Sequence, residues 1–134
     1  MVSLIDKSQV EQVVGTKIKN LGLYQKAFTH KSALKEYENL TESFETLEFI
    51  GDSVLGFVIT KYLFDRYENK QEGFLTKART KLVRGETLAH IAGYLKLNKY
   101  VIMDEKGMRN SWNTNTKILE DVFEALIGAI YMDI

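Results

Sequence analysis

The chain has 134 residues, of which 45% are hydrophobic and 27% charged, with no cysteine and no proline. That length supports one domain with its own core, and the missing cysteines exclude disulfides, thiolate metal sites and cysteine nucleophiles. Eighteen basic residues balance 18 acidic ones, so a uniformly basic coat for a polyanion is excluded as well. In chain order, apolar spacing predicts an amphipathic helix over residues 8–18, carried by Val10, Val13 and Val14, and another over 21–28. A polar stretch at 35–42 leads to Thr41 or Ser43 as N-cap candidates for a long helix over 44–67. Helices over 73–83 and 87–95 follow, with Gly85 as the break, then a Gly/Asn/Ser/Thr-rich loop at 104–115 and a last helix over 117–132. Alternating strand patterns are scarce, and there is no repeat or linker. One all-α domain over 1–134 is expected.

Asp6 comes before any apolar run develops, unlike a secretory signal. The longest nearly apolar run, residues 125–132, is far short of the ~20 residues that span a bilayer. An intracellular, cytoplasmic protein without a membrane partner is expected.

Charge is segregated along the chain. Six acids and no base lie between Glu36 and Asp52, whereas four bases (Lys77, Arg79, Lys81, Arg84) and no acid lie between Phe74 and Gly85. On a helical wheel Glu45, Glu48 and Asp52 share an arc of about 60°, opposite an apolar face of Leu47, Ile50, Val54, Phe57 and Val58. Such a face is commonly just solvated. Here no Lys or Arg is interleaved to relieve the i, i+3 and i, i+4 repulsion. Phe49 stands on the acidic side, where a lone large aromatic suggests an anchor for a partner subunit.

The last helix carries Asp121 and Glu124 at i, i+3, with Glu120 about 100° away and expected to stay apart. If the two acid-bearing helices pack side by side, Glu48, Asp52, Asp121 and Glu124 converge. Four carboxylates so close repel unless a divalent cation sits among them. All-oxygen ligands favour Mg²⁺ or Mn²⁺ over zinc, and such ions suit phosphodiester hydrolysis.

These residues resemble a known family. Residues 45–55, Glu-Thr-Leu-Glu-Phe-Ile-Gly-Asp-Ser-Val-Leu, are similar to the signature of the ribonuclease III catalytic domain. Residues 28–33 (Phe-Thr-His-Lys-Ser-Ala), the stretch from Glu72-Gly73 through Arg79 to Ala89, and residues 117–129 around Asp121 and Glu124 resemble further segments of that family, in the same order.

The resemblance implies an all-helical homodimer that cuts double-stranded RNA with Mg²⁺, Mn²⁺ being a substitute. Its products would be short duplexes with 3′ overhangs, 5′-phosphates and 3′-hydroxyls. Carried over position by position, Glu48, Asp52, Asp121 and Glu124 would be the metal set, with Asp52 and Glu124 orienting or deprotonating the attacking water. Glu45 and Glu72 would be supporting acids at the edge of the site, and Phe49 the knob entering a socket on the other subunit. Lys117 would stabilise phosphate charge, a solvated helix-start lysine being the plainer reading.

Thr46 and Phe44 depart from the family's usual Arg and Asn, without touching a ligand position. No basic double-stranded-RNA-binding domain is recognisable, so a truncated or minimal member with weak, salt-sensitive RNA affinity is expected. Two alternatives remain at this level. One is a catalytically silent relative that binds RNA or acts as a scaffold; the other is an unrelated helical metal-dependent phosphohydrolase. Intact acids speak against the first and motif order against the second. His30 and His90 are expected to be structural, and Gly51 to allow close approach of helices or subunits. Trp112 and the asparagines at 110, 113 and 115 read as an ordinary polar loop.

Overall fold

The computed structural model describes residues 3–134. The described residues form seven α-helices: α1 (Lys7–Val14), α2 (Leu21–Ala27), α3 (Glu45–Arg66), α4 (Glu72–Val83), α5 (Gly85–Tyr94), α6 (Glu105–Arg109) and α7 (Thr116–Asp133). Short 3₁₀ turns occupy Lys31–Lys35, Leu97–Tyr100 and Trp112–Thr114, and the described residues form no strand. The all-α expectation is met. No helix is long and apolar enough to cross a membrane among the described residues.

Helix α7 is the centre of the bundle, packed against α3, α5 and α2. Val122, Ala125 and Ala129 on its inner face are fully enclosed, beside Val10, Tyr24, Phe28, Leu97, Val101 and Met103. A single bridge between Thr29 and Ile102 ties the segment after α2 to the segment before α6. In it His30 N–H donates to the Ile102 carbonyl and Ile102 N–H to the Phe28 carbonyl, both at 2.8 Å.

Several boundaries differ from the sequence expectation for physical reasons. Helix α1 is shorter than residues 8–18 because Gly15, at φ 86°, takes the left-handed conformation and donates its N–H to the Glu11 carbonyl. Neither Thr41 nor Ser43 caps α3. Phe44 holds the cap position, fixed by its N–H to the Thr29 carbonyl (2.9 Å) and by edge-on packing of its buried ring against His30. Gly85 is the first residue of α5, and the break falls at extended Arg84. The predicted loop at 104–115 contains α6, closed by Asp104 accepting from Gly107 N–H and by distant Glu36 accepting from Glu105 N–H, each at 2.8 Å.

The apolar face of α3 is only half a core. Leu47 is buried and Ile50 and Val54 partly so, but Phe57 is 70% and Val58 53% exposed.

Candidate active site

Two glycines set the distance between the acid-bearing helices. A Cβ on Gly51 of α3 would lie 1.7 Å from the Glu124 carbonyl oxygen, and one on Gly128 of α7 would lie 2.2 Å from that of Leu47. The backbones therefore touch where any larger residue would force them apart. That crossing lies within one turn of Glu48, Asp52, Asp121 and Glu124, which brings their side chains to one place.

They do converge. Glu48, Asp121 and Glu124 each present a carboxylate oxygen within 4.8 Å of the other two. Asp52 lies beside Glu124, as Asp121 does beside Glu48, so that each pair can share a proton when one carboxyl is neutral. Glu124 is only 7% exposed. Burial, then the hydrogen bond and charge of Asp52, push its carboxyl up to about 8. Burial and Asp121 raise Glu48 to about 7, opposed by Lys117. Asp121 Oδ1 is buried without a properly aligned hydrogen bond, although Lys117 Nζ stands 3.1 Å away. That contact is charge compensation from a 70% exposed side chain rather than a completed bond.

The cluster lies between two cavities. In front is an open cleft of about 460 Å³ whose lining includes Glu45, Glu48, Phe49, Asp52, Lys117, Glu120 and Glu124. Behind is a smaller cavity of about 180 Å³ bounded by His30, Phe44, Glu45, Glu48 and Asp121, among others. Glu45 touches both and accepts from Ser43 Oγ at 3.3 Å.

Three residues sit differently from the sequence reading. Glu120, expected not to join the Asp121–Glu124 pair, stays out of the 4.8 Å cluster but still lines the front cleft, 3.9 Å from Lys117 Nζ. It fits because Gly85 lacks a side chain: a Cβ there would be 2.6 Å from Glu120 Oε1. The i, i+1 spacing hid this, since the space is made by a glycine on another helix. Glu72 is not brought to the cluster; it opens α4 and lines a separate groove with Leu63, Phe64 and Arg79, where Arg79 donates to Thr60 Oγ1 at 3.1 Å. His30, read as purely structural, forms part of the rear wall. Burial holds its ring below the ordinary imidazole value, with Lys31 acting the same way and Asp104, Glu45 and Asp121 acting against it. Of the loop asparagines, Asn115 caps α7 by accepting from Lys117 N–H at 2.9 Å and Asn113 donates to the Asn98 carbonyl at 3.0 Å.

A helical bundle with a carboxylate cluster at the crossing of two helices, open to one cleft, defines a class of acid-centred domains suited to hard divalent cations. The Ribonuclease III domain family matches residues 45–134, and the chain belongs to that family. It is 48% identical over 131 residues to a putative protein of Paramecium bursaria Chlorella virus 1, covering 98% of this chain and 46% of that protein. It is 43% identical over 126 residues to Ribonuclease 3 of Francisella philomiragia, covering 94% and 51%. The chain thus spans about half the length of these curated relatives. The nuclease domain of ribonuclease III from Campylobacter jejuni superposes with a TM-score of 0.85 at 34% identity, covering 97% of this chain and 85% of that one. Dicer from Pichia stipitis gives 0.62 at 32% identity, covering 86% and 46%.

Proposed function

We propose that this chain is a divalent-metal-dependent endonuclease for double-stranded RNA that works as a homodimer. The observation that carries the reading is the meeting of Glu48, Asp121 and Glu124 within 4.8 Å beside Asp52. The donor set fits a hard cation. It is all oxygen, and it includes a buried, unbonded Asp121 Oδ1 together with two carboxyls that would rather hold protons than repel one another. Glu48, Asp121 and Glu124 would hold Mg²⁺ (or Mn²⁺), with Asp52 at its edge. A bound ion supplies Lewis acidity towards a phosphodiester and lowers the pKa of water.

The chain's own groups do the rest. Glu124 and the neighbouring Asp52 orient the attacking water and take its proton at a carboxylate oxygen. Lys117 Nζ, facing the cleft between Glu120 and Asp121, balances phosphate charge as it builds up. Glu45 keeps the rim acidic. Strand-by-strand cutting by two such sites would leave short duplexes with 3′ overhangs, 5′-phosphates and 3′-hydroxyls. Homodimer action is supported by an apolar surface that the described residues leave open. Phe49 (80% exposed), Phe57, Tyr62 and Phe64 project from α3, and no residue of α4 is buried. The Campylobacter nuclease domain is described with a flexible region involved in dimer formation.

Long duplex RNA incubated with the purified chain and Mg²⁺ tests this. Glu124→Gln keeps volume and removes the base; cleavage should fall by about 10²–10⁴-fold while circular dichroism is unchanged. Cleavage should also weaken steeply with added salt. Failure of the unmodified chain to cut at low salt with either Mg²⁺ or Mn²⁺ would refute the reading.

A further inference from the structure

Behind the acid cluster, His30 makes bonds that fix its tautomer. Ser32 N–H donates to its Nδ1 at 3.1 Å, and Ser32 Oγ lies 2.8 Å from the same atom. Ser32 Oγ already accepts from Asp104 N–H at 3.0 Å, which leaves the hydroxyl proton free to point at Nδ1. An Nδ1 that accepts from a backbone N–H carries no proton, so the ring is neutral with its hydrogen on Nε2. One ring edge is thus spent on Ser32. His30 also lines the rear cavity of about 180 Å³, together with Glu45, Glu48 and Asp121. That volume admits ordered water, and Asp121, which lines it, keeps Oδ1 buried without an aligned hydrogen bond, facing only the Lys117 ammonium at 3.1 Å.

We propose that His30 is a positioning residue: its Nε2–H, set by the Ser32–Asp104 relay, donates through water in the rear cavity to the Glu48 and Asp121 carboxylates and holds them in ligating orientation. The assignment rests on the reading of these acids as a cation site. Such donors behind ligating carboxylates change metal affinity by about 10–100-fold.

Two substitutions separate this role from the capping of the Lys31–Lys35 turn. His30→Asn places an acceptor near the Nδ1 position, preserving the Ser32 bonds, but has nothing at Nε2. His30→Gln places an amide N–H near Nε2 and gives up the cap. Titration calorimetry with Mg²⁺, and Mn²⁺ binding followed by electron paramagnetic resonance, should show His30→Asn folded yet binding about tenfold or more weakly. His30→Gln should melt earlier yet bind within about threefold of the unmodified chain, the donor being retained. Long-range ¹H–¹⁵N spectra should show the Nε2–H form for His30, with Nε2 shifting on Mg²⁺ addition while exposed His90 does not. If His30→Asn binds as tightly as the unmodified chain, or if Nδ1 carries the proton, the positioning role is overturned and the metal reading survives. If the unmodified chain binds neither ion, both fall.

Discussion

Two glycines of α3 show how differently its two halves are used. Around Gly51 the helix is pressed so hard onto α7 that an added methyl would strike the Glu124 backbone at 1.7 Å; at Gly56 the same methyl would meet nothing within 4 Å. The buried half, with Leu47, brings the acids together. The open half carries Phe57, Val58, Tyr62 and Phe64 into solvent, far more apolar exposure than a helix at rest in water needs. A single apolar stripe is thus buried against α7 at one end and left open at the other, where the proposed second copy would dock.

The sharpest way to break this contrast is Gly51→Ala. The obstacle is backbone, which cannot rotate away, so the loss should be about 3 kcal/mol or more, read as a lower Tm together with loss of cleavage. Retained stability would mean that the crossing is loosely packed. Next comes Phe57→Lys. If a second copy covers this surface, sedimentation should show dimer dissociation costing about 2 kcal/mol, roughly thirtyfold in Kd, with helix content intact. An unchanged dimer would move the interface elsewhere. Gly56→Ala is the gentler control. In dilute, monomeric protein it should raise stability by about 1 kcal/mol, the ordinary gain of alanine over glycine inside a helix.

The same contrast explains what could be read from the sequence. Spacing alone put Glu48 with Asp52 and Asp121 with Glu124, because i, i+3 and i, i+4 positions share a face whatever surrounds the helix. It could not tell how far along the apolar face α7 reaches, so Phe57 and Val58 stand with Leu47 on one face although α7 leaves them exposed. Nor could it place Glu120, whose room is made by Gly85, or foresee α6, whose cap reaches back to Glu36. His30 was legible as a motif residue, but its task depends on Ser32, Asp104 and a cavity assembled from three parts of the chain.

A smaller effect separates the acid cluster from the rest of the bundle through pH. Glu48 and Glu124 are raised to about 7 and about 8, so between the ordinary carboxylate value and those values the folded chain binds more protons than the unfolded one. Their contribution is fully present below about pH 4.3 and is lost as pH rises through 7 and 8. In the metal-free protein Tm should decline over that window. Saturating Mg²⁺ should flatten the decline, because the ion replaces the protons; an equally steep decline with Mg²⁺ would argue against a shared site.

The last contrast lies at the far end of α7, where a carboxylate does the opposite. Asp133 accepts from the backbone N–H groups of Lys19 (3.0 Å) and Asn20 (2.8 Å) and from Tyr24 Oη–H at 2.8 Å, clasping the start of α2 to the end of α7. Asn20, at the cap position of α2, makes no side-chain capping bond of its own, so Asp133 supplies acceptors to that turn from another helix. The Lys19 N–H does most to hold the Asp133 carboxyl below its usual range, burial opposing and Tyr24 and Asn20 assisting. Burial and Asp133 in turn raise Tyr24. A lowered carboxylate stabilises above its unfolded value of about 3.9 and stops doing so as pH falls through the folded one. Asp133→Asn should therefore lower Tm slightly at neutral pH, speed amide exchange at Lys19 and Asn20, and shrink the acid-side loss of stability, with no effect on the Mg²⁺-sensitive window. A change in that window on replacing Asp133 would mean that the two ends of α7 are coupled, and that the acid cluster is not the self-contained unit its glycine crossing implies.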